Sequence, residues 1–144
     1  MPPSNPWQSY RQVATQTASP GQLVLMLYDG AIRFLEQARR GFAAEDPLEF
    51  NQNIHNNTVR AQEIIRELDG ALEYKQGGQL ASTLHRLYDY MDTRLHESNQ
   101  FKKPEGVVEV LRRLGILRDA WAEMLRKNGA TEGNAEMLKW SALG

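Results

Sequence analysis

Ser19-Pro20-Gly21-Gln22-Leu23-Val24-Leu25-Met26-Leu27-Tyr28-Asp29-Gly30 decides how this chain folds. The stretch opens with a hydroxyl at the N-cap, proline at the first helical position and glutamine at the third, where its amide can reach back to the cap. A helix therefore starts at Pro20. Downstream, Leu23, Leu27, Ala31, Phe34, Ala38 and Phe42 recur every three or four residues, which is one face of an α-helix running to about Ala44.

The same cap chemistry returns at Asp46-Pro47-Leu48-Glu49, so a second helix begins there. Its stripe is Phe50, Ile54, Asn57, Ala61, Ile64, Ile65, Leu68 and Leu72, and Gly77-Gly78 is the strongest breaker in the chain. A third helix carries Leu80, Leu84, Leu87, Met91 and Leu95. After Lys103-Pro104-Glu105, a fourth carries Val107, Val110, Leu111, Leu114, Leu117, Trp121 and Leu125, with a stop expected near Asn128-Gly129. Connections of a few residues return each helix beside the one before it. The expected fold is all-α, an antiparallel up-down-up-down four-helix bundle over 19–128. Residues 1–18, with three prolines in the first six, form an N-terminal arm or short helix. Residues 129–144 form a C-terminal tail, which is either a short helix carrying Met137, Leu138, Trp140 and Leu143 or a disordered end.

Composition narrows the function. The 144 residues are 41% hydrophobic, enough for one core, and contain no cysteine, which removes thiolate nucleophiles, thiolate metal ligands and disulfides together. Nothing requires an oxidising compartment, and the N-terminus lacks the basic and apolar regions of a secretory signal, so a cytoplasmic location is expected. The longest unbroken apolar run, Leu23 to Tyr28, is far short of the roughly 20 residues that span a bilayer, so no membrane insertion is expected. With 17 basic and 18 acidic side chains interspersed, no cationic surplus favours nucleic acid.

Catalysis finds no support. Di-iron bundles need Glu-x-x-His, but the residues three before His55, His85 and His96 are Gln52, Ser82 and Thr93. A histidine phosphotransfer site would show lysine and glycine just after the histidine, and none follows here. Gly77-Gly78 lacks the spaced glycines and lysine of a phosphate loop. Asp69, Asp89 and Asp92 are spaced as surface charges. No catalytic residue, metal ligand, cofactor or small-molecule substrate is expected.

Apolar surface remains. Leu23 to Tyr28 places apolar side chains on every side of two turns, because successive residues step by about 100°. Leu25 and Met26 bracket the polar arc of Asp29, Arg33, Glu36 and Arg40, away from the seam of Leu23, Leu27 and Ala31. What covers them is the arm, the tail or a partner protein, and spacing alone leaves this open. Asn51, Gln52, Asn53, Asn56 and Asn57 crowd two turns of the second helix, either as a polar surface or as amides offered to a partner. Tyr88 and Tyr90 point to different sides of the third helix, so only one can be core.

These residues resemble a known family. Thr17-Ala18-Ser19-Pro20, Leu23 and Met26-Leu27-Tyr28-Asp29-Gly30-Ala31, with Tyr10 upstream, are similar to the most characteristic stretch of the FliS flagellar export chaperones. Ala61 to Leu68 resembles the family's second helix, Leu87-Tyr88-Asp89-Tyr90-Met91 its third and Leu117-Arg118-Asp119-Ala120-Trp121 its fourth. The resemblance covers about Tyr10 to Lys127. It implies a non-enzymatic cytoplasmic chaperone that binds the disordered C-terminal region of flagellin, prevents premature polymerisation and aids delivery to the type III export gate, with other flagellar regulators as further partners. Tyr10, Leu25, Met26, Tyr28, Ile64, Tyr88 and Tyr90 are then the candidate contacts, and Trp7 to Thr17 an arm that the client displaces. The alternative is a non-enzymatic bundle that binds another flagellar or signalling regulator.

Overall fold

The computed structural model describes residues 19–71 and 74–142, with side chains described over 19–71 and 78–127. Four helices follow in order: α1 (Pro20–Gly41), α2 (Pro47–Gly70), α3 (Tyr74–Phe101) and α4 (Glu105–Ala142). No strand occurs among the described residues. Each helix packs against its sequence neighbours and α1 also packs against α4, so α1 and α3 face each other across one diagonal of an up-down-up-down bundle and α2 and α4 across the other.

Both N-cap side chains bond the first turn of their helices. The Ser19 hydroxyl accepts the Gln22 amide N–H at 3.2 Å and the Asp46 carboxylate accepts that of Glu49 at 2.9 Å, each satisfying an amide with no partner in the first turn. At its other end α1 tightens, because the amides of Phe42, Ala43 and Ala44 bond carbonyls three residues back. The regular helix therefore ends at Gly41, three residues short of Ala44.

Two further boundaries differ from the sequence expectation. The break at Gly77-Gly78 lies inside α3, where Gly78 has φ 57° and ψ −142°, a conformation open essentially to glycine. At the far end α4 continues through Asn128-Gly129 to Ala142, since the Ala, Glu, Met, Leu and Lys residues that follow favour helix enough to carry it past two weak formers. The arm expected over 1–18 lies outside the described residues, and so do the side chains of the tail.

The core is built from Leu27, Ala31, Leu35 and Ala38 of α1, Ile54, Ala61, Ile65 and Leu68 of α2, Leu84, Met91 and Leu95 of α3, and Val107, Val110, Leu114 and Trp121 of α4. Leu35 takes the fully buried place that the spacing gave to Phe34, which is half-buried. Where α3 hands over to α4, a Cβ on Gly106 would sit 2.5 Å from the Arg94 carbonyl, so only glycine permits that approach. The buried Ser98 hydroxyl donates to the Lys103 carbonyl and accepts the Val107 amide N–H, tying the two helix ends together.

Candidate protein-docking surface

The bundle arranges the flanks of α1 through two contacts one residue apart. Asp29 receives a 2.8 Å hydrogen bond from the Arg118 guanidinium, so this flank faces α4. Gly30 faces α2, where a Cβ would meet the Ile64 side chain at 3.3 Å. Leu25 and Met26 stand one turn earlier on the same two flanks, both half-buried, with Val24, Leu25 and Ile32 packed against the core. The Trp121 indole N–H donates to the Gly21 carbonyl at 2.7 Å and fixes the start of α1 against α4. Trp121 is thus a packing residue that also ties α4 to α1.

The other candidates separate by burial. Tyr28, Ile64 and Tyr88 are 2%, 0% and 3% exposed, so they face the core rather than solvent. Tyr28 and Tyr88 join across the diagonal of the bundle, hydroxyl to hydroxyl, at 2.6 Å. Burial pushes the Tyr28 phenol up to about 12, against a smaller downward pull from the Tyr88 hydrogen bond.

Tyr90 is 42% exposed and stands on the α3/α4 seam, away from α1. Its hydroxyl donates to Glu109 at 2.8 Å and its ring lies under the Arg113 guanidinium, 5.5 Å from centroid to carbon. The Tyr90 hydroxyl and then Arg94 at 2.8 Å hold the Glu109 carboxyl down to about 2. Of the seven sequence candidates, Leu25, Met26 and Tyr90 therefore offer surface, Tyr28, Ile64 and Tyr88 lie beneath it, and Tyr10 lies outside the described residues.

The asparagine-rich face of α2 turns inward on itself. Asn51 donates to the Pro47 carbonyl at 2.8 Å and Asn57 to the Asn53 carbonyl at 2.9 Å, each one turn back on its own helix. His85 bonds Asp69 at 3.0 Å and His55 bonds Asn99 at 3.0 Å. Among the described residues no group of histidine, aspartate and glutamate is placed to hold a metal ion, and no helix is long and apolar enough to cross a membrane. Among the described residues, a cleft of about 100 Å³ lies between α2 and α3, floored by Ile65 and Tyr88, and another of about 270 Å³ lies at the α3/α4 corner beside exposed Phe101.

Periodicity missed Val108 and Ile116 on α4, which are 49% and 64% exposed. Both fall off the core stripe of that helix, the same signal that singled out Leu25 and Met26 on α1.

Comparison with known proteins places this architecture. The sequence profile of the family described as Flagellar protein FliS matches residues 3–128. The flagellar secretion chaperone FliS of Bacillus subtilis is 33% identical over 122 residues, which cover 85% of this chain and 87% of that protein. The corresponding chaperone of Salmonella typhimurium is 33% identical over 125 residues, covering 83% and 90%, and that of Escherichia coli 31% over 123 residues, covering 82% and 88%. A four-helix bundle with its most characteristic stretch on α1 and a family match across nearly the whole of it leaves one conclusion: the chain belongs to the FliS family of flagellar secretion chaperones.

Proposed function

We propose that this chain binds the disordered C-terminal region of flagellin in the cytoplasm, keeps the subunit from polymerising and delivers it to the flagellar type III export apparatus, without enzymatic activity. The observation that carries the reading is the pair of half-buried apolar flanks on α1, Leu25 toward α4 and Met26 toward α2, in a chain of this family. A disordered segment loses conformational freedom when it orders on a surface, so its contacts must be broad and apolar. An amphipathic client helix lying in a groove beside α1 satisfies that requirement. Tyr28, Ile64 and Tyr88 back this surface from beneath, and Tyr10 precedes it in sequence. Tyr90 stands on the seam away from α1, so a client that touches both Met26 and Tyr90 wraps around the bundle.

Co-expression with flagellin, whole or lacking its C-terminal region, tests the reading. Whole flagellin is expected to give a soluble stoichiometric complex and the truncated form none. Leu25→Asp and Met26→Asp are expected to weaken binding by about tenfold or more, because each sets a carboxylate in an apolar contact. Equal recovery of the truncated flagellin, or unchanged affinity in both variants while circular dichroism shows them folded, refutes it.

A further inference from the structure

We propose that the outward ridge of α4 is a second docking face, which takes a helix of another protein carrying a carboxylate in the middle of its apolar stripe. The inference stands apart from the client reading, because none of the residues assigned there lies on the ridge itself. Val108, Arg112, Ile116 and Ala120 follow one another at intervals of four, so they form a single ridge inclined to the helix axis, of the kind that seats in the groove of a second helix. From Val108 to Ile116 the ridge rises about 12 Å. Ile116 is 64% exposed, Val108 49%, and Arg112 and Ala120 are exposed as well. Single exposed apolar residues are ordinary; here two flank a cation along one packing row.

Charge selects the occupant. Three carboxylates of the ridge's own helix, Glu109 one turn before Arg112 and Asp119 and Glu123 beyond it, already have cationic partners. Glu109 is held by Arg94 at 2.8 Å, Arg113 at 2.9 Å and the Tyr90 hydroxyl. Asp119 is held by Arg118 at 3.4 Å and Glu123 by Arg126 at 2.5 Å. Glu105 lies two turns before Arg112 in the first turn of α4, where the helix dipole favours an anion. Arg112 itself enters no ion pair among the described residues. A partner helix that covers Val108 and Ile116 must therefore supply a carboxylate to Arg112 or leave a guanidinium partly desolvated and unmet. A second copy of this chain, antiparallel across Ile116, brings Asp119 and Glu123 toward Arg112, but each would have to leave its pairing with Arg118 or Arg126, whereas a partner helix with a free central carboxylate gives up no such contact.

The test uses the full chain and two designed helical peptides of roughly 20 residues. They share one leucine and alanine stripe and differ only in a central glutamate or lysine. The glutamate peptide is expected to bind, with amide chemical shifts moving along residues 104–124 of α4. The lysine peptide, and the folded variants Ile116→Asp and Arg112→Glu with the glutamate peptide, are expected to bind about tenfold more weakly or less. Arg112→Glu is expected to recover binding to the lysine peptide, which mere loss of structure would not do. Equal affinity for both peptides, shifts confined to other helices, absence of binding at about 1 mM, or a wild-type dimer that Ile116→Asp dissolves would each overturn the proposal. Flagellin co-purification with the same variants is expected to be unchanged, which separates this face from the α1 surface.

Discussion

The phenolic pair that joins α1 to α3 should make the stability of the bundle fall in alkali, and replacing Tyr28 by phenylalanine should remove that fall. Tyr28 is 2% exposed, with its hydroxyl 2.6 Å from that of Tyr88 and its pKa pushed up to about 12 by burial. In the unfolded chain the same phenol titrates near about 10. Below that value both states hold the proton and the group adds no pH dependence. Above it the unfolded chain releases the proton while the folded chain keeps it, so the unfolded state binds fewer protons and stability falls as pH rises. At about 1.4 kcal/mol per pH unit over about two units, the loss approaches roughly 2.5 kcal/mol by pH ~12. Tyr28→Phe lacks the ionisation but also lacks the hydrogen bond, which costs about 1 kcal/mol near neutral pH. The two proteins should therefore exchange rank. Wild type is the more stable at about pH 8 and the variant the more stable as pH approaches about 12. Urea unfolding followed by circular dichroism at a series of pH values measures the difference, in which titrating groups that do not touch Tyr28 cancel. A difference that stays constant across that range, or tyrosinate absorbance showing Tyr28 ionising at its ordinary value, refutes the reasoning.

Three other perturbations follow from named contacts. Thr58 is fully buried and its hydroxyl has no hydrogen-bond partner in the structure, so Thr58→Val should raise stability by about 1 kcal/mol in thermal or urea unfolding. Gly106→Ala should lower it by about 2 kcal/mol or more, since the added methyl meets the Arg94 carbonyl and the Ser98 side chain on a packed helix face. For Asp29 and Arg118, whose side chains are 37% and 36% exposed, a double-mutant cycle should return a coupling below about 1 kcal/mol that shrinks in high salt.

Local chemistry made the fold legible. Ser19-Pro20 and Asp46-Pro47 announce helix starts without reference to anything distant, because a cap side chain and the amides it satisfies lie within one turn. The opposition of Tyr88 and Tyr90 was likewise fixed by a 200° step, and one is core while the other is surface. Where the outcome depended on two small competing terms, the pattern was insufficient. The low helix propensity of Asn128-Gly129 predicts a stop, yet the summed propensity of the residues beyond carries α4 to Ala142. Phe34 and Leu35 both fit the stripe of α1, and only the position of the neighbouring helices decides which one is enclosed.

The candidate surface was legible as a surplus rather than as a set of residues. Six consecutive apolar positions on α1 exceed what one seam can enclose, but the apolar count does not say which of them a neighbour will cover. Tyr28 and Leu25 belong to the same surplus. The register of α3 puts Tyr88 opposite Tyr28 and buries both, whereas Leu25 keeps part of its surface beside the Asp29–Arg118 contact with α4. Such cross-bundle pairing joins residues 60 and 89 positions apart, a separation at which helical periodicity carries no information. The same limit applies to Ile116: its place off the core stripe is visible in the sequence, but that its ridge holds a cation while Glu109, Asp119 and Glu123 already have cationic partners depends on side-chain pairings found only in the assembled bundle. For a protein that acts by offering surface, the residues that function are those the core leaves over, and they are settled last, after every helix has chosen its neighbours.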